Sequence, residues 1–433
     1  MIRKVTIKRY KSLHEVTLQL QPLAVLIGPN AAGKSNFLDA LQLLSRLVCS
    51  RSLKEAFDPP YRGRPLESFE FLPEEAPNMR QQPEPSFCIE VDLDLSDQTI
   101  KAVNKQIFEM RKRPDGSASG APTATARSNY IHHTRLRYRI EIGIQRNNGM
   151  LFVLDEYLAP LDKEGNPRIK PQPFLELRKD KIHLRMEGQS HPTYMERRLD
   201  HTIASRPHYP PHYPHLTALR HELESWWFYY FEPRERMRAS TSVKEVRHIG
   251  LMGENLPAFL NTLKTQAPKQ FLALNKALHQ IIPSINSVDT EVDKFGEVEL
   301  SILEGSTSMP ARVVSEGTLR MLGLLALSGA DELPALIGFE EPENGIQPRR
   351  IRDVAKIILN QASPKGTQLI ITTHSPVLAD QLPQNNLLVC KKLEGKTQIK
   401  ALDTWGPLAT STSVEEALDE PMSQRMLRGD FDA

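Results

Sequence analysis

The chain has 433 residues, 39% of them apolar and 25% charged, with a formal net charge of +2. That length supports a substantial core and more than one domain, and so even a charge balance makes no case for nucleic acid by itself. Cys49, Cys88 and Cys390 stand far apart with no C-x-x-C pair, which argues for a reducing compartment and against a zinc site. Met1-Ile2-Arg3-Lys4 runs straight into an alternating strand and no apolar run is long enough to span a bilayer, so a cytosolic protein with no membrane partner is expected.

Val5, Ile7, Val16, Leu18 and Leu20 alternate with polar residues about a turn near Tyr10 to His14, and predict a β-hairpin. The apolar run Ala24-Val25-Leu26-Ile27 then ends in Gly28-Pro29-Asn30-Ala31-Ala32-Gly33-Lys34-Ser35, which fits the phosphate-binding pattern G-x-x-x-x-G-K-[ST]. The two glycines let the backbone curl so that successive N–H groups point at phosphate oxygens. Lys34 adds a charge at the β- and γ-phosphates, and the Ser35 hydroxyl is a ligand for Mg²⁺. Residues 36–47, beginning at Asn36, read as a helix through Phe37, Leu38, Leu41, Leu44 and Val48, and its N-terminus favours the same anion.

Residues 58–85 are proline-rich and read as irregular surface, and Phe87, Ile89, Val91, Leu93 and Leu95 read as a strand. Residues 111–127 read as a flexible loop inserted between two strands. Leu136, Tyr138, Ile140 and Ile142 alternate with Arg135, Arg137, Arg139 and Glu141, which sets three arginines on one strand face. A solvated outer face is the plain reading; a strip contacting the phosphates of DNA or RNA is the sharper one.

The stretch 149–304 is the least regular. His208, His212 and His215 sit among prolines that forbid the helix needed to stack them, which argues against a metal site. The run Trp226-Trp227-Phe228-Tyr229-Tyr230-Phe231 is too continuous to leave one clean aromatic face and reads as core. Residues 256–282 read as two helices broken near Pro268, followed by a hairpin turning at Lys294-Phe295-Gly296.

Three further motifs follow in order. Ser315-Glu316-Gly317 opens a helix, with Ser315 at the N-cap, where its side chain and the next N–H groups can hold an anion. The strand Ala335-Leu336-Ile337-Gly338-Phe339 ends in Glu340-Glu341. In a phosphate-loop enzyme the first carboxylate holds Mg²⁺ and the second polarises the attacking water. The strand Gln368-Leu369-Ile370-Ile371-Thr372-Thr373 ends at His374, where it faces the γ-phosphate.

With these motifs the chain resembles ABC-type ATPases of the RecF and structural-maintenance-of-chromosomes class. More narrowly, it resembles the stand-alone AAA-family ATPases related to the overcoming-lysogenization-defect nucleases. Ile7-Lys8-Arg9-Tyr10-Lys11-Ser12-Leu13, Gly253-Glu254-Asn255-Leu256 and Glu341-Pro342-Glu343-Asn344-Gly345 carry the likeness further. The resemblance implies that Gly28 to Ser35 form the Walker A motif, Ser315-Glu316-Gly317 the signature, Glu340-Glu341 the Walker B end and His374 the switch histidine. It also implies ATP and Mg²⁺ as cofactors, and a homodimer in which Lys34 and Ser35 of one copy face Ser315 of the other across the nucleotide. Two departures stand out: Glu340 replaces the usual Asp, and Glu316 a usual Gly. The sequence has no heptad arm, and the fewer than sixty residues after His374 are too short for the relatives' nuclease domain.

The expected fold is therefore α/β: an ABC-type ATPase head with flanking antiparallel strands and a mostly helical middle segment. Residues 1–148 and 305–433 are expected to form the head and 149–304 the middle lobe. The expected function is an ATP-hydrolysing switch in anti-phage defence, acting on nucleic acid or on a separate nuclease or toxin effector. A RecF-like repair ATPase that clamps DNA and a non-hydrolysing ATP-dependent scaffold are the alternatives.

Overall fold

The computed structural model describes residues 1–58, 63–70, 84–111, 130–145, 147–189, 191–328, 333–362, 366–402 and 421–430. Most of the proline-rich stretch and nearly all of the loop expected at 111–127 lie outside them. The chain divides into two compact units: Met1–Gln21, Ser35–Trp226 and Lys392–Ile399 form the first, and Pro22–Lys34, Trp227–Lys391 and Lys400–Ala433 the second.

The first unit is built on an eight-stranded antiparallel sheet, in the order β2-β1-β4-β5-β6-β7-β8-β9. Its strands are β1 (Ile2–Tyr10), β2 (Leu13–Gln19), β4 (Ser86–Asp94), β5 (Arg135–Ile144), β6 (Leu151–Pro160), β7 (Leu175–Arg178), β8 (Lys181–Arg185) and β9 (Pro192–Met195). Alternation decides the buried face: Leu136, Tyr138, Ile140 and Ile142 of β5 are fully buried, as are Phe87, Ile89, Val91 and Leu93 of β4. The unit's helices are α1 (Lys34–Cys49, whose first residue falls in the second unit), α2 (Leu53–Ala56), α3 (Asp97–Arg111) and α4 (Pro214–Glu224). Phe37, Leu38, Leu41, Leu44 and Val48 make the buried stripe of α1, as their spacing predicts.

The second unit is organised on a sheet of order β10-β15-β16-β3-β17-β18, of which β18 has most of its residues in the first unit. These strands are β3 (Leu23–Ile27), β10 (Trp226–Tyr229), β15 (Leu336–Glu340), β16 (Gln368–Thr373), β17 (Leu387–Leu393) and β18 (Lys396–Ala401). β15, β16, β3 and β17 pair in parallel. A parallel sheet covered on both faces needs continuous apolar strands, which is how Leu23–Ile27 and Gln368–Thr373 read and why both are wholly buried. A smaller antiparallel sheet gathers β11 (Thr241–Ser242), β12 (Ile285–Val292), β13 (Glu297–Glu304) and β14 (Thr307–Pro310). Beside it lie α5 (Leu256–Gln266) and α6 (Pro268–Ile281), the two helices expected on either side of Pro268. α7 (Glu316–Leu327) and α8 (Ile351–Gln361) add to the unit's core. Half of the aromatic run is core as expected, with Trp226, Tyr229 and Phe231 buried, while Trp227 and Phe228 are half-buried and Tyr230 is exposed.

The α/β class and the flanking antiparallel strands hold. The middle segment differs from expectation: residues 149–304 are not mostly helical, since they carry β6 to β13 against three helices, α4, α5 and α6, among the described residues. Several of those strands are only two to five residues long and punctuated by Gly and Pro. Too few residues repeat in each for a period of two to stand out. α3 was missed for a related reason: its buried stripe is only Thr99, Val103 and Ile107, while Phe108 and Met110 lie on its exposed side and blur the helical period.

Candidate nucleotide-binding site

The site grows from the carboxyl ends of β3, β15 and β16, three neighbouring parallel strands of the second unit. In register, Glu340 of β15 lies opposite Thr372 of β16, and Thr373 lies opposite Ile27 of β3. Whatever follows these residues therefore emerges at one edge of the sheet, where ligands of open parallel sheets collect.

After Ile27 the backbone turns sharply. Gly28 has φ +148°, Ala31 64° and Gly33 100°. A Cβ on Gly28 would stand 2.3 Å from the carbonyl oxygen of Cys390, so only glycine fits against β17. Pro29 is half-buried, Asn30 and Ala31 are exposed, and Ala32 donates its N–H to Pro29 O at 3.3 Å. Lys34 is buried, with Nζ donating to the carbonyl oxygens of Gly28 at 2.8 Å and Pro29 at 2.9 Å. Burial holds its ammonium below the usual lysine range, while the nearby carboxylates of Glu341, Glu340 and Glu343 pull it back up. Ser35 is next in the chain. Asn36 donates through Nδ2 to Ser12 Oγ at 2.7 Å, a bond that ties the start of α1 to the first hairpin turn.

Glu341 adopts a left-handed backbone, φ 47°, uncommon for a residue with a Cβ and a form of strain that collects at functional sites. Its N–H donates to Thr372 O at 3.0 Å, which anchors it beside β16. Its carboxylate is held from both sides: His374 Nδ1 lies 2.9 Å from Oε1, and Asn344 Nδ2 donates to Oε2 at 2.9 Å. The structure thus joins two residues expected to work together from strands far apart in sequence.

Glu343 and Asn344 were not given roles in the sequence reading. Glu343 is buried, accepts from Thr373 Oγ1, and is pushed upward in pKa mainly by burial. Its Oε2 and the Thr372 hydroxyl have no hydrogen-bond partner among the described residues. Native proteins seldom leave buried polar atoms orphaned. The run Glu341-Pro342-Glu343-Asn344-Gly345 was the available signal; it sets a second carboxylate two residues past Glu341, just beyond the same strand.

Ser315 caps α7 as expected, accepting from Thr318 N at 3.3 Å. Glu316 pairs with Arg234 at 2.8 Å, a partner the sequence did not suggest. A Cβ on Gly317 would lie 2.7 Å from Gly345 O, so the start of α7 rests directly on the turn that follows Glu341. Arg238 secures the approach to Ser315 by donating to Val314 O at 2.8 Å and Arg312 O at 3.2 Å.

In the first unit the arginine face of β5 is an ion-pair ladder. Arg135 meets Asp94 at 2.9 Å, Arg137 meets Asp92 at 2.6 Å and Arg139 meets Asp155 at 2.7 Å. The three charges expected on a solvated face or a phosphate strip are neutralised across neighbouring strands. Among the described residues no helix is long and apolar enough to cross a membrane.

Residues 1–157 match the family model described as an AAA ATPase domain. Residues 195–380 match the one described as an AAA domain, putative AbiEii toxin, type IV TA system. No curated protein matches the chain. Among solved structures it is similar to an SMC head bound to the C-terminal winged-helix domain of ScpA, at 12% identity and a TM-score of 0.48, over 97% of this chain and 99% of that one. It is similar to the SMC head domain from Thermotoga maritima at 13% identity and 0.43, over 93% and 98%. A Pyrococcus furiosus SMC head with an extended coiled coil, bound to the C-terminal domain of ScpA, gives 10% and 0.46, over 97% and 99%. The Gly28–Ser35 loop thus falls in the segment matched by the first AAA-domain model, and the Glu341–His374 pair in the segment matched by the second.

Proposed function

We propose that the chain binds and hydrolyses ATP in the manner of an ABC-type switch, and that this switch controls a separate effector in bacterial anti-phage defence. The observation that carries the reading is the Glu341 carboxylate bracketed by His374 and Asn344 at the end of β15, in the same parallel sheet as β3, the strand that feeds the phosphate-binding loop, with β16 between them.

The loop amides from Gly28 to Lys34 would cradle the phosphates, and Lys34 would exchange its two carbonyl partners for phosphate oxygens. Ser35 and Glu340 offer the hard oxygen ligands that Mg²⁺ prefers, and the carboxylates drawing on Lys34 form an acidic strand end suited to a divalent cation. Mg²⁺ there would shield the phosphate charge during transfer. Glu341 would take the proton from the attacking water; His374 fixes the carboxylate on one side and Asn344 on the other. Ser315 at its helix N-terminus, with Glu316 and Gly317, would meet the nucleotide of a second copy, giving a two-headed sandwich.

The defence reading is supported by the description of the second family model, which names a putative toxin of a type IV toxin–antitoxin system. An effector of nuclease or toxin class would read the closed dimer. Lys34→Ala tests the nucleotide site: calorimetric titration should show tight ATP binding lost, and unchanged affinity sinks the assignment. Ser315→Arg tests the sandwich: one copy should still bind ATP, while ATP-driven dimerisation in sedimentation runs should disappear.

A further inference from the structure

We infer that a cavity in the first unit, away from every motif of the nucleotide site, binds a second ligand of nucleotide chemistry, a flat heteroaromatic ring carrying an anionic oxygen group. The cavity holds about 680 Å³, within the range of small-molecule sites, and its argument rests on Arg111, His133, Phe174, Arg185, Glu187 and His215.

One wall is a set of rings. His215 stacks on Phe174, with centroids 4.6 Å apart and planes 9° from parallel, and His133 lies 5.4 Å from His215. The His133 backbone N–H donates to His215 Nε2 at 3.0 Å, so the His215 hydrogen sits on Nδ1 and is given to Glu187 at 2.6 Å. The other Glu187 oxygen accepts the His215 backbone N–H at 3.0 Å. The acidic group of the wall is thereby engaged in fixing a neutral imidazole. His133 is kept uncharged as well, its pKa pushed down to about 4 chiefly by burial, with the Arg168 charge adding to the effect.

The arginines then set the sign of the cavity. Arg185 pairs with Glu176 through one terminal nitrogen, while its Nε is buried with no acceptor among the described residues. Leaving a charged donor unpaired in a folded interior is costly, and a guanidinium that lines the cavity with a donor to spare favours an anionic oxygen there. Arg111 stands at the rim, its guanidinium 4.8 Å from the Tyr130 ring centroid and bonded to Pro211 O at 3.2 Å. A guanidinium held against a ring is a ready phosphate contact, and a cavity lined by the half-buried His133 ring beside the Phe174–His215 stack offers a flat aromatic wall to a planar base. The ring reads as the base and the anionic group as its phosphate. The source is either a free mononucleotide or an exposed nucleotide in a single strand.

The test uses the full chain carrying Lys34→Ala, so that the phosphate-binding loop contributes nothing and the failure of one site is separable from that of the other. The probes are N-methylanthraniloyl adenosine monophosphate and a short fluorescein-labelled single-stranded oligonucleotide, each read by fluorescence anisotropy. Binding of the mononucleotide identifies a free ligand; binding of the oligonucleotide alone identifies a strand. In either case Arg185→Gln and the exposed Arg111→Ala should weaken binding about tenfold, the worth of a charged hydrogen bond. Should Arg185→Gln fail to fold, Arg111→Ala decides alone, with its circular-dichroism melt matching the parent. Absence of binding by both probes, or binding that Arg111→Ala leaves unchanged, overturns the proposal.

Discussion

The two sheets treat charge in opposite ways. In the antiparallel sheet of the first unit, charges are settled sideways: Asp92 on β4 lies in register with Arg137 on β5, and Asp94 with Arg135. Each cation finds a carboxylate one strand away, as cross-strand pairing favours. In the parallel sheet of the second unit, carboxylates collect at strand ends instead. Glu340 closes β15 and Glu341 and Glu343 lie just beyond it, Glu341 in a strained backbone and Glu343 with an oxygen that has no partner among the described residues. An arrangement that satisfies its own charges supports a fold. One that holds unsatisfied charge and strain in a rigid frame is organised for something that arrives.

The sharpest way to break this contrast is at Glu341. Glu341→Gln keeps the shape and removes the proton acceptor, so ATP affinity should persist while turnover falls on the order of a hundredfold or more, the worth of a general base. Glu340→Gln should instead weaken Mg²⁺ dependence. Steady-state phosphate release and ATP affinity on both variants separate the roles. Full activity in both would remove the strand end from the chemistry.

Gly317→Ala comes next. The added methyl would meet Gly345 O at 2.7 Å, a backbone contact too close to stand, so one of the two segments must shift. A displacement of that kind costs about 1–3 kcal/mol. The melting temperature should drop, and turnover with it, because the turn being pushed carries Asn344, which holds Glu341. A variant that melts normally but hydrolyses slowly would locate the damage in that turn.

The parts of this architecture legible in sequence were those with strong local signals. The G-x-x-x-x-G-K-S loop, the continuous apolar strands before Glu340 and His374, and the Ser315 cap all announce themselves within a dozen residues. What stayed hidden depends on contacts between distant segments. The arginines of β5 looked alike on the page; their carboxylate partners lie 16 to 45 residues away and are brought to them by strand pairing. The Glu343–Thr373 and Glu341–His374 contacts likewise join β15 to β16 across about thirty residues. The short strands of 149–304 gave too few repeats for a period to show.

Glu156 sharpens the comparison from within the first unit, as a buried carboxylate that no cation neutralises among its named partners. It accepts from Tyr138 OH at 2.9 Å, Ile203 N at 2.6 Å and Ala204 N at 3.0 Å, and burial pushes its pKa up to about 7 against these bonds. A folded pKa above the unfolded one means the folded chain holds the proton longer. Its contribution is therefore full below about pH 4.5 and lost as pH rises through about 7, at most about 1.4 kcal/mol per pH unit. Glu156→Gln removes this titration and sets an amide N–H against one of the three donors, for a loss of about 1–3 kcal/mol at low pH. The stability gap between parent and variant should narrow from pH 5 to pH 8 in denaturant melts. A gap independent of pH would mean that Glu156 does not titrate in that range.

The smallest effect is expected where the sequence suggested the most, at Arg135, Arg137 and Arg139. Their side chains are one-fifth to two-fifths exposed and each already has a carboxylate, so an incoming phosphate would have to displace it. Changing all three to Ala should lower stability modestly. Exposed pairs contribute about 0–1 kcal/mol each, and most of the loss should come from Arg137, whose two bonds to the buried Asp92 would leave that carboxylate uncompensated. Duplex DNA binding, followed by anisotropy against salt, should keep its slope, because counterion release counts only contacts that are made. Three phosphate contacts on this face would instead make the slope shallower by about three in the triple variant. That result would mean the ladder opens to admit a nucleic acid, and would move β5 from the self-satisfied sheet into the class of surfaces held ready for a ligand. The stability loss separates the two cases further. A closed ladder loses it with or without DNA, whereas an opened one loses more when DNA is present, since the parent alone gains from binding.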